Sequence, residues 1–180
     1  MTTSYDAIVI GAGQAGPSLA VKLAKAGLKT ALIEREHLGG TCVNNGCIPT
    51  KTLVASARAA HVARRAGDWG VRIESAISVD MLAVKARKDR VVADSVASLA
   101  KWMAATPGLT LIWGQARFVA ARAVEVDGER LEAPRIFINV GGRPVLPTWD
   151  GIAAVPVLTN VSMMAIDAVP EHLIVAGGSY

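Results

Sequence analysis

Tyr5-Asp6-Ala7-Ile8-Val9-Ile10-Gly11-Ala12-Gly13-Gln14-Ala15-Gly16 is the stretch that decides the fold. A short apolar run breaks into G-x-G-x-x-G and then into a helical pattern through about Lys25, closed by Gly27. Leu28 to Glu34 is apolar again, so residues 5 to 34 predict a strand, helix, strand unit with parallel pairing. In such a turn the backbone approaches a pyrophosphate closely, and the helix start aims its free N–H groups at negative charge. Gly11, Gly13 and Gly16 supply the turn. Glu34 ends the next strand, where a carboxylate accepts hydrogen bonds from both ribose hydroxyls of an adenosine. Glycines end many strands for reasons of turn geometry alone, but the strand context and Glu34 favour a dinucleotide. The turn serves FAD and NAD alike, and the choice rests on the segment that follows.

That segment is Gly39-Gly40-Thr41-Cys42-Val43-Asn44-Asn45-Gly46-Cys47-Ile48-Pro49-Thr50-Lys51, read as a glycine-rich loop leading into a helix from Thr50 to Ala66. Cys42 and Cys47 are the chain's two cysteines. In a regular helix, residues five apart are separated by roughly 7.5 Å along the axis, beyond the roughly 4.4–6.8 Å that a disulfide tolerates between α-carbons. The pair can close only where the backbone is distorted, and Asn44, Asn45 and Gly46 tolerate unusual dihedrals. Closing so small a loop would stabilise the fold by only about 2 kcal/mol, which makes a structural staple a poor explanation. With Cys47 in a first helical turn, Lys51 falls four residues later on the same face, where an ammonium favours a thiolate. Zinc would need further ligands; no second cysteine pair exists, and His37 and His61 read as ordinary surface or loop histidines.

Further along, a long helix is expected from about Val79 to Ala105, capped by Ser78 or Asp80 and stopped by Pro107-Gly108. Its inward positions read as Leu82, Val91, Val92, Val96, Leu99 and Met103, and Lys85, Arg87, Lys88 and Arg90 read as a solvated face. Then come strands: Leu109 to Val119, a hairpin of Ala123–Val126 and Arg130–Glu132 around Asp127-Gly128, and Arg135 to Val140. They predict an antiparallel β-meander attached to the parallel unit. From Gly141 the chain carries Pro144, Pro147, Pro156 and Pro170 and reads as a long connection. Glu171-His172-Leu173-Ile174-Val175-Ala176-Gly177-Gly178-Ser179-Tyr180 then repeats the opening pattern of an apolar strand running into glycines.

Composition agrees with a globular domain: 180 residues, 52% hydrophobic, net charge +4. Aromatics at 4% with none interleaved among the basic residues argue against nucleic acid. The absence of a long apolar run or a basic leader points to a cytoplasmic protein without membrane contact.

The quoted cysteine stretch resembles the active-site motif of the class I pyridine nucleotide-disulfide oxidoreductases, among them dihydrolipoamide dehydrogenase, glutathione reductase and mercuric reductase. The likeness continues through Gly114-Gln115-Ala116-Arg117-Phe118, Ile138-Asn139-Val140-Gly141-Gly142-Arg143-Pro144 and Gly177-Gly178-Ser179-Tyr180. It implies an α/β fold: a doubly wound, Rossmann-type FAD-binding domain (1–147), a connecting segment (148–170) and the truncated first strand of a nicotinamide-binding domain (171–180). It implies FAD held by Gly11, Gly13, Gln14, Ala15, Gly16, Glu34, Arg35, Gly40, Thr41, Cys42 and Lys51, with backbone contacts near Ala116 and Gly142. Cys47 would be the flavin-facing thiolate, Cys42 the thiol that exchanges with substrate, and Lys51 would lie by the flavin ring. Electrons would run from NAD(P)H through FAD to the Cys42–Cys47 disulfide and on to a disulfide-like or electrophilic small molecule. Mercury is not expected as substrate, since members that handle it carry additional carboxy-terminal cysteines. Asn139-Val140-Gly141-Gly142 departs from the family's usual Ala-Thr-Gly, so the backbone is expected to serve alone there. The resemblance also implies a homodimer for the whole protein, with the nicotinamide and dimerisation domains beyond this chain; the alternative is a non-catalytic FAD-binding module.

Overall fold

The computed structural model describes residues 2–177 and begins with β1 (Thr2–Ser4) and β2 (Ala7–Ile10). All four residues of β2 are buried, as expected of a parallel strand covered on both faces. The chain turns through the glycines into α1 (Ala15–Lys25) and returns as β3 (Thr30–Glu34), again buried throughout. β2 and β3 pair in parallel, Ile8 opposite Ala31 and Ile10 opposite Ile33, which is the strand, helix, strand unit anticipated.

The cysteine segment is not a loop. It forms a one-turn helix, α2 (Gly40–Asn44), and then α3 (Cys47–Arg64). A 3-10 turn over Ala66–Trp69 leads to α4 (Met81–Ala104), whose cap is Asp80, its side chain accepting from the Ala83 N–H at 3.0 Å. Two expectations for α4 fail. Leu82 and Val91 face solvent, because α4 lays only its Val96–Leu99–Met103 end on the sheet. The expected solvated basic face is so only in part: Arg87 and Arg90 are exposed, while Lys85 and Lys88 are drawn towards the protein. Lys88 is 6% exposed and paired with Asp89, Lys85 also reaches Asp89 at 2.7 Å, and Arg87 Nη1 donates to the Thr52 carbonyl of α3 at 2.9 Å. The two ammonium groups hold the Asp89 carboxyl below the usual carboxylate range, Lys85 first.

Leu109 to Val119 proves to be two strands in two sheets. β4 (Leu109–Trp113) joins the parallel sheet beside β3, and β5 (Arg117–Ala120) begins the meander. The break falls at Gly114, where any Cβ would sit 2.4 Å from Val126 Cγ1. β6 (Ala123–Val126) and β7 (Glu129–Glu132) form the expected hairpin, with positive φ at both Asp127 and Gly128. β8 (Ile136–Ile138) returns to the parallel sheet on the other side of β2, shorter than Arg135–Val140 because pairing stops where the chain turns away. The sheets are ordered β4-β3-β2-β8 and β1-β7-β6-β5, the latter with β1 added in parallel.

The core has two halves, one on each face of the parallel sheet. Ile8, Ile10, Ala31 and Ile33 pack on Val124, Val126 and Leu131 of the second sheet, while Val9 and Leu32 pack on Ala20 and Val21 of α1 and on Met103 of α4. Each fully buried aliphatic side chain there contributes about 1.5–3 kcal/mol. This is the Rossmann-type parallel sheet with an attached meander that the pattern indicated. Among the described residues beyond Ile138, the regular structure is two 3-10 turns, Ile152–Ala154 and Ser162–Ala165. The strand expected over Glu171–Gly177 does not form: those residues are exposed and no neighbouring strand pairs with them. Gly178, Ser179 and Tyr180 lie outside the described residues. Among the described residues, no helix is long and apolar enough to cross a membrane.

Candidate functional site

The site assembles at the carboxyl ends of β2 and β3. Gly11 has φ +100°, a conformation that glycine adopts at no steric cost, and its backbone abuts the Asn139 peptide. Gly16 tucks under the turn so closely that a Cβ there would lie 2.0 Å from the Gly11 oxygen. Gly13 is more open; a Cβ there would meet only Asn139 Nδ2, at 3.7 Å. Gln14 and Ala15, at the start of α1, are exposed. The result is a backbone concavity at a helix start, with room beside Gly13 for an anionic group.

Glu34 is 9% exposed and turned towards the chain itself. Its Oε2 accepts from the Ala12 N–H at 2.7 Å, and its Oε1 accepts from the N–H groups of Arg35 and Glu36, both at 2.8 Å. A carboxylate offers about four acceptor positions, so most are committed to the backbone, against the expectation of two left for a ribose. Arg35 Nη1 donates to Gln115 Oε1 at 2.8 Å, next to half-buried Ala116. Gly142 is exposed, and its neighbour Arg143 reaches across to Glu36 Oε2 at 3.1 Å. This last pair ties the end of the sheet to the start of the following segment.

The cysteine helices are docked directly on this turn. The Gly39 N–H donates to the Ala12 carbonyl at 2.7 Å, and a Cβ on Gly40 would lie 2.7 Å from Gly13 Cα. Asn44 Nδ2 donates to the carbonyls of Leu38 and Gly40, both at 2.9 Å, closing α2. The helix then breaks at Asn45-Gly46, and Gly46 packs against Cys42, its notional Cβ 3.2 Å from Cys42 Cα. That break brings together two cysteines which a continuous helix would hold apart.

Both thiols are unlinked, Cys42 half-buried and Cys47 exposed at the start of α3. Hydrogen bonding with the Cys47 side chain, then burial and the nearby Cys47 charge, hold the Cys42 thiol above its ordinary 9.0. A backbone hydrogen bond from Cys47 and the Lys51 ammonium pull the other way, so Lys51 acts on Cys42 with the expected sign but is outweighed. Lys51 and Thr41 are exposed, as are His37 and His61. One polar residue in the site escaped the sequence reading. Asn139, where the backbone was expected to serve alone, donates from Nδ2 to the Gly11 carbonyl at 3.2 Å. Its only signal was the departure from Ala-Thr-Gly.

A family profile described as pyridine nucleotide-disulphide oxidoreductase matches residues 5–180. The chain is similar to mercuric reductase of Lysinibacillus sphaericus, 35% identical over 98% of this chain and 32% of that protein. It is also similar to dihydrolipoyl dehydrogenase of Mycoplasma pneumoniae, 34% identical over 97% of this chain and 39% of that one. Among solved structures, the HOCl-induced flavoprotein disulfide reductase RclA from Escherichia coli superposes with a TM-score of 0.75 at 35% identity, covering 92% of this chain and 35% of the other. Its Cu(II) complex gives 0.76. The chain thus spans about a third of the length of these relatives.

Proposed function

The chain belongs to the pyridine nucleotide-disulfide oxidoreductase family, and on that premise we propose that it is the flavin-binding part of an enzyme passing electrons from NAD(P)H by way of FAD to a Cys42–Cys47 disulfide and on to a disulfide-like or electrophilic acceptor. The observation that carries this reading is the contact of Gly40 with Gly13, which joins the cysteine helices to the dinucleotide turn as one surface.

The residues present fit FAD. The space that Cβ atoms at Gly11 and Gly16 would fill is occupied by backbone, and Gly13 leaves the start of α1 open, which suits a pyrophosphate. Gly11, Gly13, Gln14, Ala15 and Gly16 would hold that group, Glu34 and Arg35 the adenosine end, and Gly40, Thr41, Cys42 and Lys51 the far end, with Ala116 and Gly142 contributing backbone. FAD, when bound, supplies the two-electron carrier between a nicotinamide donor and a dithiol. The chain's own part is to hold two sulfurs within exchange distance and manage their protons. Hydrogen bonding to Cys47 and burial keep the proton on Cys42 at neutral pH, so that proton must be taken by a base before Cys42 attacks substrate, and Lys51 lends positive charge that favours the thiolate.

The relatives act on, or are solved with, thiophilic partners: mercuric reductase by name, and RclA as a Cu(II) complex. For this chain the acceptor proposed is a disulfide-like or electrophilic small molecule, mercury excepted. Residues 1–147 are assigned to the FAD domain, 148–170 to a connecting segment, and 171–180 to the start of a nicotinamide-binding domain. The whole enzyme is proposed to be a homodimer working in the cytoplasm.

The test is NAD(P)H-dependent disulfide reduction by the full reading frame with Cys42→Ser or Cys47→Ser. Each variant is expected to keep its flavin and lose at least about a hundredfold in activity. Full activity in either variant rejects the dithiol route. Stoichiometric FAD with no NAD(P)H oxidation in the wild type replaces it with a non-catalytic flavin module.

A further inference from the structure

The peptide that joins Gly11 to Ala12 is held at both ends by side chains, one at the end of β3 and one just past β8. Its carbonyl accepts from Asn139 Nδ2 at 3.2 Å, and its N–H donates to Glu34 Oε2 at 2.7 Å. Glycine at φ +100° imposes little preference of its own, since it populates both halves of the backbone map. The orientation of this peptide plane is therefore set from outside. Asn139 is well placed to set it: its own N–H donates to the Ile10 carbonyl at 2.8 Å, and its side chain lies half-buried beside Gly11, Gly13 and Gly16.

We propose that Asn139 is a positioning residue for the dinucleotide turn. Together with Glu34 it pins the Gly11–Ala12 peptide so that the carbonyl lies against Gly16. Turning that plane over would free a partially negative oxygen to face the space beside Gly13, where an anion is unwelcome company for it. Removing the amide of Asn139 lets the peptide sample both orientations, and only one of them receives a pyrophosphate. The consequence for the ligand rests on the FAD reading given above; the pinning itself does not.

The experiment pairs amide hydrogen exchange on the cofactor-free chain with FAD titration. In Asn139→Ala, exchange at Gly11 and Ala12, whose N–H groups bond to the Ile33 carbonyl and Glu34 Oε2, rises about fivefold, the scale of one lost hydrogen bond. The ladder amides of β6 and β7 stay as they were. FAD affinity falls only by the fraction of chains driven out of the competent orientation, which a fivefold rise in a minor population keeps small. Asn139→Asp keeps the shape but loses the donor, so it repeats the exchange result, and its charge weakens FAD binding further. Unchanged exchange at residues 11 and 12 in both variants, or a uniform rise that includes β6 and β7, overturns the proposal. A wild-type chain that binds no FAD defeats the proposed function, and the exchange measurement then decides the inference alone.

Discussion

Two stretches of this chain share one pattern and have opposite fates. Ala7–Ile10 runs into Gly11-Ala12-Gly13, and Leu173–Ala176 runs into Gly177. The first is a strand with all residues buried, paired on one side with β3 and on the other with β8. The second forms no strand, with Ile174 81% and Val175 74% exposed. Composition does not separate them. What separates them is company: a strand is a property of a pair, and apolar residues become core only when something covers them.

The comparison is sharpened most by emptying matched positions. Ile8→Ala, at a fully buried site between both sheets, is expected to lower stability by about 2–5 kcal/mol, whereas Ile174→Ala lowers it by less than about 0.5 kcal/mol. Chemical denaturation of the two variants measures both, and equal losses would show that the second stretch is packed after all. Next in size are the glycines. Gly16→Ala drives a methyl into the Gly11 oxygen and is expected to destabilise by about 1–3 kcal/mol and to abolish FAD binding. Gly177→Ala meets no atom within 4 Å, and only its φ of +99° resists, so its effect on FAD titration is nil.

The smallest effect is in the thiols of the helices docked on the first stretch's glycine turn. Because Cys42 holds its proton more tightly when folded, it contributes stability that is fully present below its ordinary 9.0 and is lost as pH rises through the folded value. Alkylation of Cys42 should accordingly show a midpoint above 9.0, and Cys47→Ala should bring it down by removing the chief cause. A midpoint that ignores that substitution would break the link between the cysteines.

The same contrast explains what the sequence could disclose. The unit from β2 to β3 was legible because its burial pattern and its glycines are local, and so was the Asp127-Gly128 hairpin. Leu109–Val119 misled because both of its halves are apolar; only Gly114 marks the passage between sheets, and its reason is a contact with Val126. Lys88 read as solvated because burying an ammonium depends on Asp89 beside it and on α4 lying against α3. α2 read as a loop because five residues opening on glycine carry little helical signal, and its closure is the work of the Asn44 side chain. In the site, the glycines and cysteines announced themselves by spacing. Asn139 did not, since its partner is 128 residues away.

That separation also bears on how the protein is made. β2 gains its second neighbour only when β8 has been synthesised, and at cellular rates of elongation the interval is on the order of ten seconds. Throughout it, the central strand of the sheet has an open edge on the ribosome, and the sheet's slowest closure is non-local in the sense that limits folding rates. Nascent chains that stop short of residue 136 carry the whole glycine turn yet lack the strand that completes its sheet.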